Sequence, residues 1–248
     1  MLIDLGVVFF ERYLSARGYT IEARDEDYGT GKRPDYRLRA GGRDVVVELK
    51  TFGPLGPVAP SRPGGFVGSQ VGAVRDRIHA AARQLRGIDG LPVVAALASP
   101  LDGLKPLHPA GVIEAMYGDL GVHFDEGPEI NFGSGRNGRL RVEEGGAGSH
   151  PYLSAVAVVR CSDAARWAMR VWMAGNVCRF QTDQAAFAAG LDEIAAAGSG
   201  VELVELDVFE AVSTTAVPLP REVFDGPGDT RWGKIGPGRY GRLAAPAA

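Results

Sequence analysis

Asp35, Glu48 and Lys50 combine residue types and a spacing that can support metal-dependent hydrolysis. Asp35 opens one predicted strand, and Glu48 and Lys50 lie two residues apart at the end of the next. Residues two apart on a strand point to the same face, about 6.6 Å apart along the backbone. Two carboxylates suit Mg²⁺, and a neighbouring ammonium can orient the attacking water and offset charge developing on a phosphate. The chemistry that this set predicts is hydrolysis of a phosphodiester bond.

The two strands are separated by Gly41 and Gly42, which supply the positive φ angles that a tight turn requires. An antiparallel hairpin brings Asp35 alongside Glu48, so that two carboxylates and one ammonium converge at one of its ends. The alternative interpretation is structural. In that case Asp35 opens a turn, and Glu48 and Lys50 form the solvated face of an edge strand.

The series Pro34-Asp35 followed by Glu48-Leu49-Lys50 resembles the motif of the PD-(D/E)xK nuclease superfamily, which has the restriction-endonuclease-like fold. The resemblance implies an ion, Mg²⁺ or Mn²⁺, that is held by Asp35, Glu48 and Leu49. It also implies that Lys50 positions the attacking water.

A further acid, Glu11, lies on a predicted amphipathic helix that spans residues 2–17. It is next to the apolar stripe of that helix, where a carboxylate is costly unless it is paired with a cation or a metal. The resemblance implies that Glu11 assists the metal or anchors Lys50. A simple salt bridge to Arg12 or Arg17 is the alternative.

Three residues are candidates for contact with a substrate. Gln70 and Arg77 lie on a second predicted helix, residues 69–86, from which superfamily members often contribute a polar residue near the phosphate. Arg33 belongs to a basic window, residues 32–50, that precedes and includes the motif. Ordinary placement on the surface is the alternative for each of them.

The predicted elements around the motif follow the order helix, three strands, helix and strand. A strand at 19–24 precedes the hairpin, a loop rich in Pro and Gly spans 52–68, and an apolar strand at 91–99 follows the second helix. The loop is interpreted either as a substrate lid or as an insertion. The order αβββαβ matches the common core of the superfamily and implies an α/β fold with a mixed sheet flanked by helices. Residues 1–105 are then a nuclease-like core.

Residues 106–248 are predicted to be an α+β extension that packs on the core as one globular unit. Its predicted helices span 109–120 and 183–197, and its last predicted strand spans 201–209. Two hairpins are predicted, one pairing 129–132 with 140–142 and the other pairing 154–161 with 166–173. The chain end, rich in Gly and Pro, predicts an irregular tail.

Composition limits the class of protein. The chain has 248 residues, of which 45% are hydrophobic and 23% are charged, as is typical of a soluble globular protein. It has no apolar run long enough to cross a membrane and no signal peptide at its start, which favours the cytoplasm. The two cysteines, Cys161 and Cys178, are predicted to be core residues, and the four histidines show no zinc-ligand spacing.

The charge pattern is mixed. The net charge of -3 argues mildly against a nucleic-acid partner, whereas the basic window and the basic stretch 230–248 could both follow a phosphate backbone. Together with the resemblance, these features predict a metal-dependent nuclease that acts on nucleic acid, with DNA favoured over RNA. A homodimer or a protein partner is also possible. The alternatives are an inactive binding or assembly module with the same fold, and a soluble domain of unrelated α/β fold.

Overall fold

The computed structural model describes residues 4–29, 31–52, 71–99, 107–118, 121–123, 129–131, 138–140, 149–176, 184–197, 202–213, 215–236 and 239–244. The helices are α1 (Leu5–Ala16), α2 (Val71–Leu85), α3 (Pro109–Tyr117), α4 (Asp163–Asn176) and α5 (Gln184–Ala197). The strands are β1 (Thr20–Ala23), β2 (Tyr36–Ala40), β3 (Arg43–Thr51), β4 (Val93–Ala98), β5 (Gly121–His123), β6 (Glu129–Asn131), β7 (Ala155–Cys161), β8 (Val204–Glu210), β9 (Thr230–Gly236) and β10 (Arg239–Arg242).

The described strands form one mixed sheet in the order β1-β2-β3-β4-β7-β8-β9-β10-β6-β5. Strands β3, β4 and β7 are parallel to one another, and β8 and β9 form a second parallel pair. The remaining pairs are antiparallel. The predicted α/β class with a mixed sheet and flanking helices is therefore confirmed, and strands from both halves of the chain share the sheet.

Helices cover both faces of the sheet. One apolar cluster joins α1, α4 and α5 to one face, and the other joins α2 and α3 to the opposite face. Successive residues of a strand contribute to opposite faces. Val45, Val47 and Leu49 of β3 therefore pack on the α1 side, and Val46 packs on the α2 side.

Helix α1 is fixed at both ends by local signals. The Asp4 side chain accepts hydrogen bonds from the amides of Gly6 and Val7, as expected of an N-cap, and Gly18 adopts a φ of +68° just after the helix. The Thr51 hydroxyl also donates to Asp4 at 2.6 Å. This contact ties the start of α1 to the end of β3.

Strands β2 and β3 form the predicted antiparallel hairpin. Gly41 and Gly42 adopt φ angles of +56° and +78°, so the turn uses conformations that favour glycine. Tyr36 pairs with Val47 and Ala40 pairs with Arg43. Strand β4 lies beside β3 in a parallel arrangement and is buried along its whole length, as predicted for its apolar run.

The prediction of a strand at 166–173 is wrong, because these residues belong to helix α4. Ala165 and Met169 are buried at helical spacing, and the Ser162 hydroxyl accepts a hydrogen bond from the Ala165 amide at the start of the helix. The first strand of the predicted hairpin is nevertheless present as β7.

The predicted hairpin between 129–132 and 140–142 is also wrong. Strand β6 pairs with β5 on one side and with β10 on the other, so neither of its edges is open to residues 140–142. The chain end contains two paired strands, β9 and β10, where an irregular tail was predicted. Strand β9 reaches the sheet by pairing with β8, which is distant in sequence.

The remaining predicted helices and strands agree with the structure, within a few residues at their ends. The predicted loop at 52–68 lies outside the described residues except for Phe52. Cys178 also lies outside them, whereas Cys161 is buried as predicted. Among the described helices, none is long and apolar enough to cross a membrane.

Candidate active site

The hairpin brings Asp35 and Glu48 together, as predicted. Because Tyr36 pairs with Val47, the residue before β2 lies opposite Glu48. The Asp35 amide donates to Glu48 Oε2 at 3.2 Å. The two carboxylate-bearing residues therefore meet where β2 begins and β3 ends.

The Asp35 carboxylate accepts a hydrogen bond from β3 just beyond the last paired residue of β2. The amide of Leu49 faces β2 at a position that β2 does not reach, and it donates to Asp35 Oδ2 at 2.7 Å. In an antiparallel pair, the amide and the carbonyl of one residue face the same neighbour. The Leu49 carbonyl, the oxygen through which a leucine can bind a metal, therefore faces the same edge as Asp35.

Lys50 completes the group through an ion pair with Glu48. Its Nζ atom lies 2.5 Å from Glu48 Oε1. The Glu48 side chain is 3% exposed and the Lys50 side chain is 23% exposed. By alternation along β3, both side chains lie on the α2 face of the sheet.

Burial shifts both carboxylates toward the protonated form. Burial raises the pKa of Glu48, the hydrogen bond from Lys50 opposes this shift, and the charge of Asp35 adds to it. Burial likewise raises the pKa of Asp35, against the lowering effects of the Leu49 amide and Lys50. Two desolvated carboxylates at one point form a site whose negative charge a cation would stabilise.

The donor set fits a hard divalent cation. It consists of two carboxylates and one backbone carbonyl, which are all oxygen ligands. The described residues contain no group of three or more His, Cys, Asp or Glu placed to hold a metal. Mg²⁺ is compatible with such a small set, because it keeps several waters and is often held by one or two carboxylates together with substrate phosphates.

Glu11 lies apart from this group. Its carboxylate is paired with Arg24 and accepts a hydrogen bond from the Tyr36 hydroxyl at 3.1 Å. It belongs to α1, which covers the face opposite Glu48 and Lys50. The geometry therefore does not support Glu11 as an anchor for Lys50.

The alternative prediction, a salt bridge from Glu11 to Arg12 or Arg17, is wrong. Arg12 and Arg17 form ion pairs with acids of the C-terminal half, Asp192 and Glu202. Arg24, which follows β1, pairs with Glu11 instead, because β1 returns alongside β2 and places this arginine over the Tyr36 ring.

Of the predicted substrate contacts, Arg77 lies over a residue that closely follows Lys50. Its guanidinium is 5.8 Å from the centroid of the Phe52 ring, and Phe52 follows Lys50 by two residues on the same face. Arg33 is exposed two residues before Asp35. Gln70 lies outside the described residues.

The basic window is largely neutralised by acids. Asp44 pairs with both Arg37 and Arg39, and these contacts hold the pKa of its carboxyl below the usual value. Arg43 pairs with Glu222. Because Asp44 is 13% exposed and holds both Arg37 and Arg39, the part of the window that could follow a phosphate backbone is reduced to its other exposed residues, which include Arg33.

In the basic stretch at the chain end, the correction concerns Arg231. Arg231 is 8% exposed, its Nε atom lies 3.0 Å from Glu210 Oε1, and its other nitrogens donate to backbone carbonyls. A charge held in this way fixes β9 and the preceding turn to the end of β8. It is not available to a phosphate.

Two polar clusters were not anticipated from the sequence. His79 Nδ1 and His150 Nε2 are 2.9 Å apart, and His150 Nδ1 lies 2.9 Å from the Tyr152 hydroxyl. On the same face of the sheet, Arg160 pairs with Glu205 and Asp207. Apart from His150 and Tyr152, the partners are far apart in sequence, so no local pattern could indicate those contacts.

Comparison of the chain with protein-family models, with curated proteins and with solved structures found no match. The function of the site must therefore be inferred from its own residues and their geometry.

Proposed function

We propose that Asp35, Glu48 and Lys50 form the active site of a nuclease that requires Mg²⁺ or Mn²⁺. The observation that carries this proposal is a chain of hydrogen bonds that links the three residues through Glu48. Asp35 bonds to Glu48 through its amide and to the Leu49 amide through its carboxylate, and Glu48 holds the Lys50 ammonium. Residue types of the PD-(D/E)xK pattern are thus linked to one another at the end of β3, which supports the proposal.

The surrounding elements support the same proposal. The chain runs α1-β1-β2-β3-α2-β4, which is the αβββαβ order of a restriction-endonuclease-like core, and the three residues lie on the hairpin of β2 and β3. Residues 1–105 would then form the core, and residues 106–248 would add strands and helices to it. DNA is the first substrate to test.

When bound, a divalent cation held by Asp35, Glu48 and the Leu49 carbonyl would supply positive charge to the phosphate and polarise a water molecule. The Lys50 ammonium has three N–H donors and uses one of them on Glu48. The others can donate hydrogen bonds to that water and to a phosphate oxygen. Glu48 in turn orients Lys50. Arg77 and Arg33 are placed to contact phosphates next to the bond that is cleaved.

A second candidate function is a binding or assembly module that has this fold without cleavage. The ion pairs in the basic window favour it, because Arg37, Arg39 and Arg43 already have acidic partners. Arginines that are paired in this way, among the residues that the structure describes, would add less to the binding of nucleic acid. Absence of cleavage together with retained binding of a partner would support this function.

Cleavage of labelled DNA and RNA, single-stranded and double-stranded, tests the two candidates. Wild-type protein is compared with Asp35→Asn, Glu48→Gln and Lys50→Met, in Mg²⁺, in Mn²⁺ and in a chelator. Asp89→Asn and Glu193→Gln are controls, because both positions are exposed and lie elsewhere in the fold.

The proposed nuclease is active with metal, is inactive in the three site variants and keeps its activity in both controls. Equal degradation by all samples identifies a contaminating nuclease. A lack of cleavage by a folded wild-type protein on every substrate and metal contradicts the proposal.

A further inference from the structure

A second cleft lies on the same face of the sheet as Glu48 and Lys50. It has a volume of about 420 Å³ and is formed by the end of β4, the starts of α3 and α4, and strands β7, β8 and β9. Its lining includes Ser99, Leu107, Pro109, Arg166, Thr230 and Trp232.

The strand register connects this cleft to the candidate active site. Lys50 pairs with Leu97, Leu97 with Val158, and Val158 with Asp207, so that all four belong to one row across the sheet. Residues directly paired across strands share a face. Three strand spacings of about 4.8 Å separate Lys50 from Asp207, a backbone distance of about 14 Å. The active site and the cleft are therefore near neighbours along one edge.

One wall of the cleft is apolar and fixed. It is built from Leu107, Pro109, Val158 and Trp232. The Trp232 ring stacks on Phe209 at 6.0 Å between centroids and an angle of 13°, and its Nε1 atom donates to the Thr230 hydroxyl at 3.0 Å. An aromatic group held in this way can contact a flat, partly polar ring without losing side-chain freedom.

Polar groups face this wall. Ser99 and Thr230 contribute hydroxyls, and Asp207 contributes a carboxylate that accepts from Thr230 at 2.5 Å. An apolar wall with a few fixed hydrogen-bonding groups is typical of sites for small ligands, and the volume is at the lower end of their range. A single nucleobase has both the flat apolar faces and the polar edge that this arrangement can accept.

The two arginines of the cleft differ in their exposure and in the exposure of the acids that they pair with. Arg160 is 18% exposed and lies between Glu205 and Asp207, so its charge is neutralised within the fold. Arg166 is 39% exposed and pairs with Asp163, which is 82% exposed, at 2.6 Å. Part of its guanidinium therefore lies at the surface of the cleft, where a phosphate can contact it beside Asp163.

We propose that this cleft binds one nucleotide of the substrate strand, with its base against the wall of Trp232 and its phosphate at Arg166. The inference rests on the proposed nuclease function, because it takes the strand to run from Lys50 along the edge of the sheet. The cleft then fixes the position of cleavage relative to an unpaired nucleotide.

Trp232 provides the test. The Asp35→Asn variant, which leaves the strand intact, is titrated with a short single-stranded oligonucleotide and with a nucleoside monophosphate while tryptophan fluorescence is recorded. We expect the oligonucleotide to quench the emission and to bind at least about tenfold more tightly than the monophosphate, because it also contacts the active site. In Asp35→Asn combined with Trp232→Phe, which keeps an aromatic ring on Phe209, the quenching disappears.

Arg166→Ala and Arg139→Ala form a matched pair. Arg139 is 38% exposed and pairs with Asp76, which is 78% exposed, so the two arginines are similar in exposure and each pairs with an exposed acid. Loss of a hydrogen bond to a charged group should weaken binding of the oligonucleotide about tenfold in Arg166→Ala, with little change in Arg139→Ala.

The outcomes separate this inference from the nuclease proposal. Cleavage by the wild-type protein, without any Trp232-dependent quenching in the Asp35→Asn variant, overturns the inference and leaves the nuclease proposal intact. Quenching by the monophosphate with no gain for the oligonucleotide also overturns it, because the cleft is then a separate site for small molecules. Quenching and the Arg166 effect without any cleavage support the cleft and contradict the nuclease.

Discussion

Asp35 and Glu48 meet at the end of one hairpin, where the Asp35 amide donates to Glu48 Oε2 at 3.2 Å. Burial raises the pKa of both groups, and the charge of Asp35 raises that of Glu48 further. An acid whose pKa is raised in the folded state costs stability when it is ionised. The hairpin therefore holds an unfavourable charge pair that a bound cation would stabilise.

Removing either charge should stabilise the protein in the absence of metal. Asp35→Asn and Glu48→Gln keep the shape and an oxygen acceptor, so we expect a gain of about 0.5–2 kcal/mol in the free energy of unfolding at neutral pH. Each carboxyl ionises at a higher pH in the folded protein than in the unfolded chain, so the cost of its charge develops as pH rises through that interval. Below both pKa values the carboxyl is neutral, and the stability gained by the substitution should vanish. Urea unfolding at acid and neutral pH measures it.

Mg²⁺ should then raise the melting temperature of the wild-type protein and have little effect on either variant, because a ligand that binds the folded state stabilises it. Asp89→Asn is the control, since Asp89 is exposed outside the site. A loss of stability in both site variants would contradict this account and would make the two carboxylates structural.

Lys50 should be required for cleavage and not for binding of the metal. Its ammonium is 2.5 Å from Glu48 Oε1, so Lys50→Met removes a cation that competes for the same carboxylate. We expect cleavage to fall about 10²–10⁴-fold, in line with loss of a proton-transfer or water-positioning group. Mn²⁺ affinity, measured by calorimetry, should stay the same or increase. Unchanged cleavage in Lys50→Met would remove Lys50 from the mechanism.

The hairpin could be predicted from the sequence because its signals are local. The glycine pair specifies the turn, and alternation along β3 assigns Val47 and Leu49 to one face and Glu48 and Lys50 to the other. Once the turn is fixed, the position of Asp35 opposite Glu48 follows from the register alone.

Helix α4 could not be assigned in the same way. Trp167 and Val171 are bulky residues typical of strands, yet they are 74% and 56% exposed on a helix. The position of α4 depends on Ala165 and Met169, which pack against the sheet face that α1 and α5 also cover. Tertiary packing overrides local propensity there.

The partners of the charged residues were the hardest to predict. Asp44 neutralises two arginines because it faces them across the β2–β3 pair, and Arg231 is buried against Glu210, which ends a different strand. Local charge counts contain no information about such pairs. The predicted basic surfaces were therefore larger than those in the structure.

His150 should make stability depend on pH in the acid range. Burial, His79 and the nearby Arg139 and Arg86 lower the pKa of His150 to about 4. Its neutral form is therefore favoured in the folded state, and the associated stability is complete above the unfolded value of 6.5 and is lost as pH falls toward 4. One proton changes the free energy of unfolding by at most about 1.4 kcal/mol per pH unit. We expect a smaller slope here, because solvent screens the half-buried ring.

His150→Gln should flatten this dependence in urea unfolding measured between neutral pH and pH 4. His108→Asn is the matched control, because His108 caps α3 and asparagine is also a good N-cap. The same slope in His150→Gln as in the wild type would show that other groups cause the acid sensitivity.

Gly6 should be required for the close packing of α1 on the sheet. A Cβ atom at this position would lie 2.1 Å from Thr51 Oγ1 and 2.9 Å from Ala98 Cβ, so Gly6→Ala must displace the end of β3 beside Lys50. We expect the free energy of unfolding to fall by about 1–3 kcal/mol, as for other overpacked positions, and cleavage to be reduced.

Gly72→Ala is the control, since Gly72 is likewise the second residue of its helix and its Cβ would meet no atom within 4 Å. Alanine there should be neutral or should stabilise α2 by up to about 1 kcal/mol. Equal urea midpoints for the two variants would contradict the packing of α1 against Thr51, and with it the support that α1 gives to the end of β3.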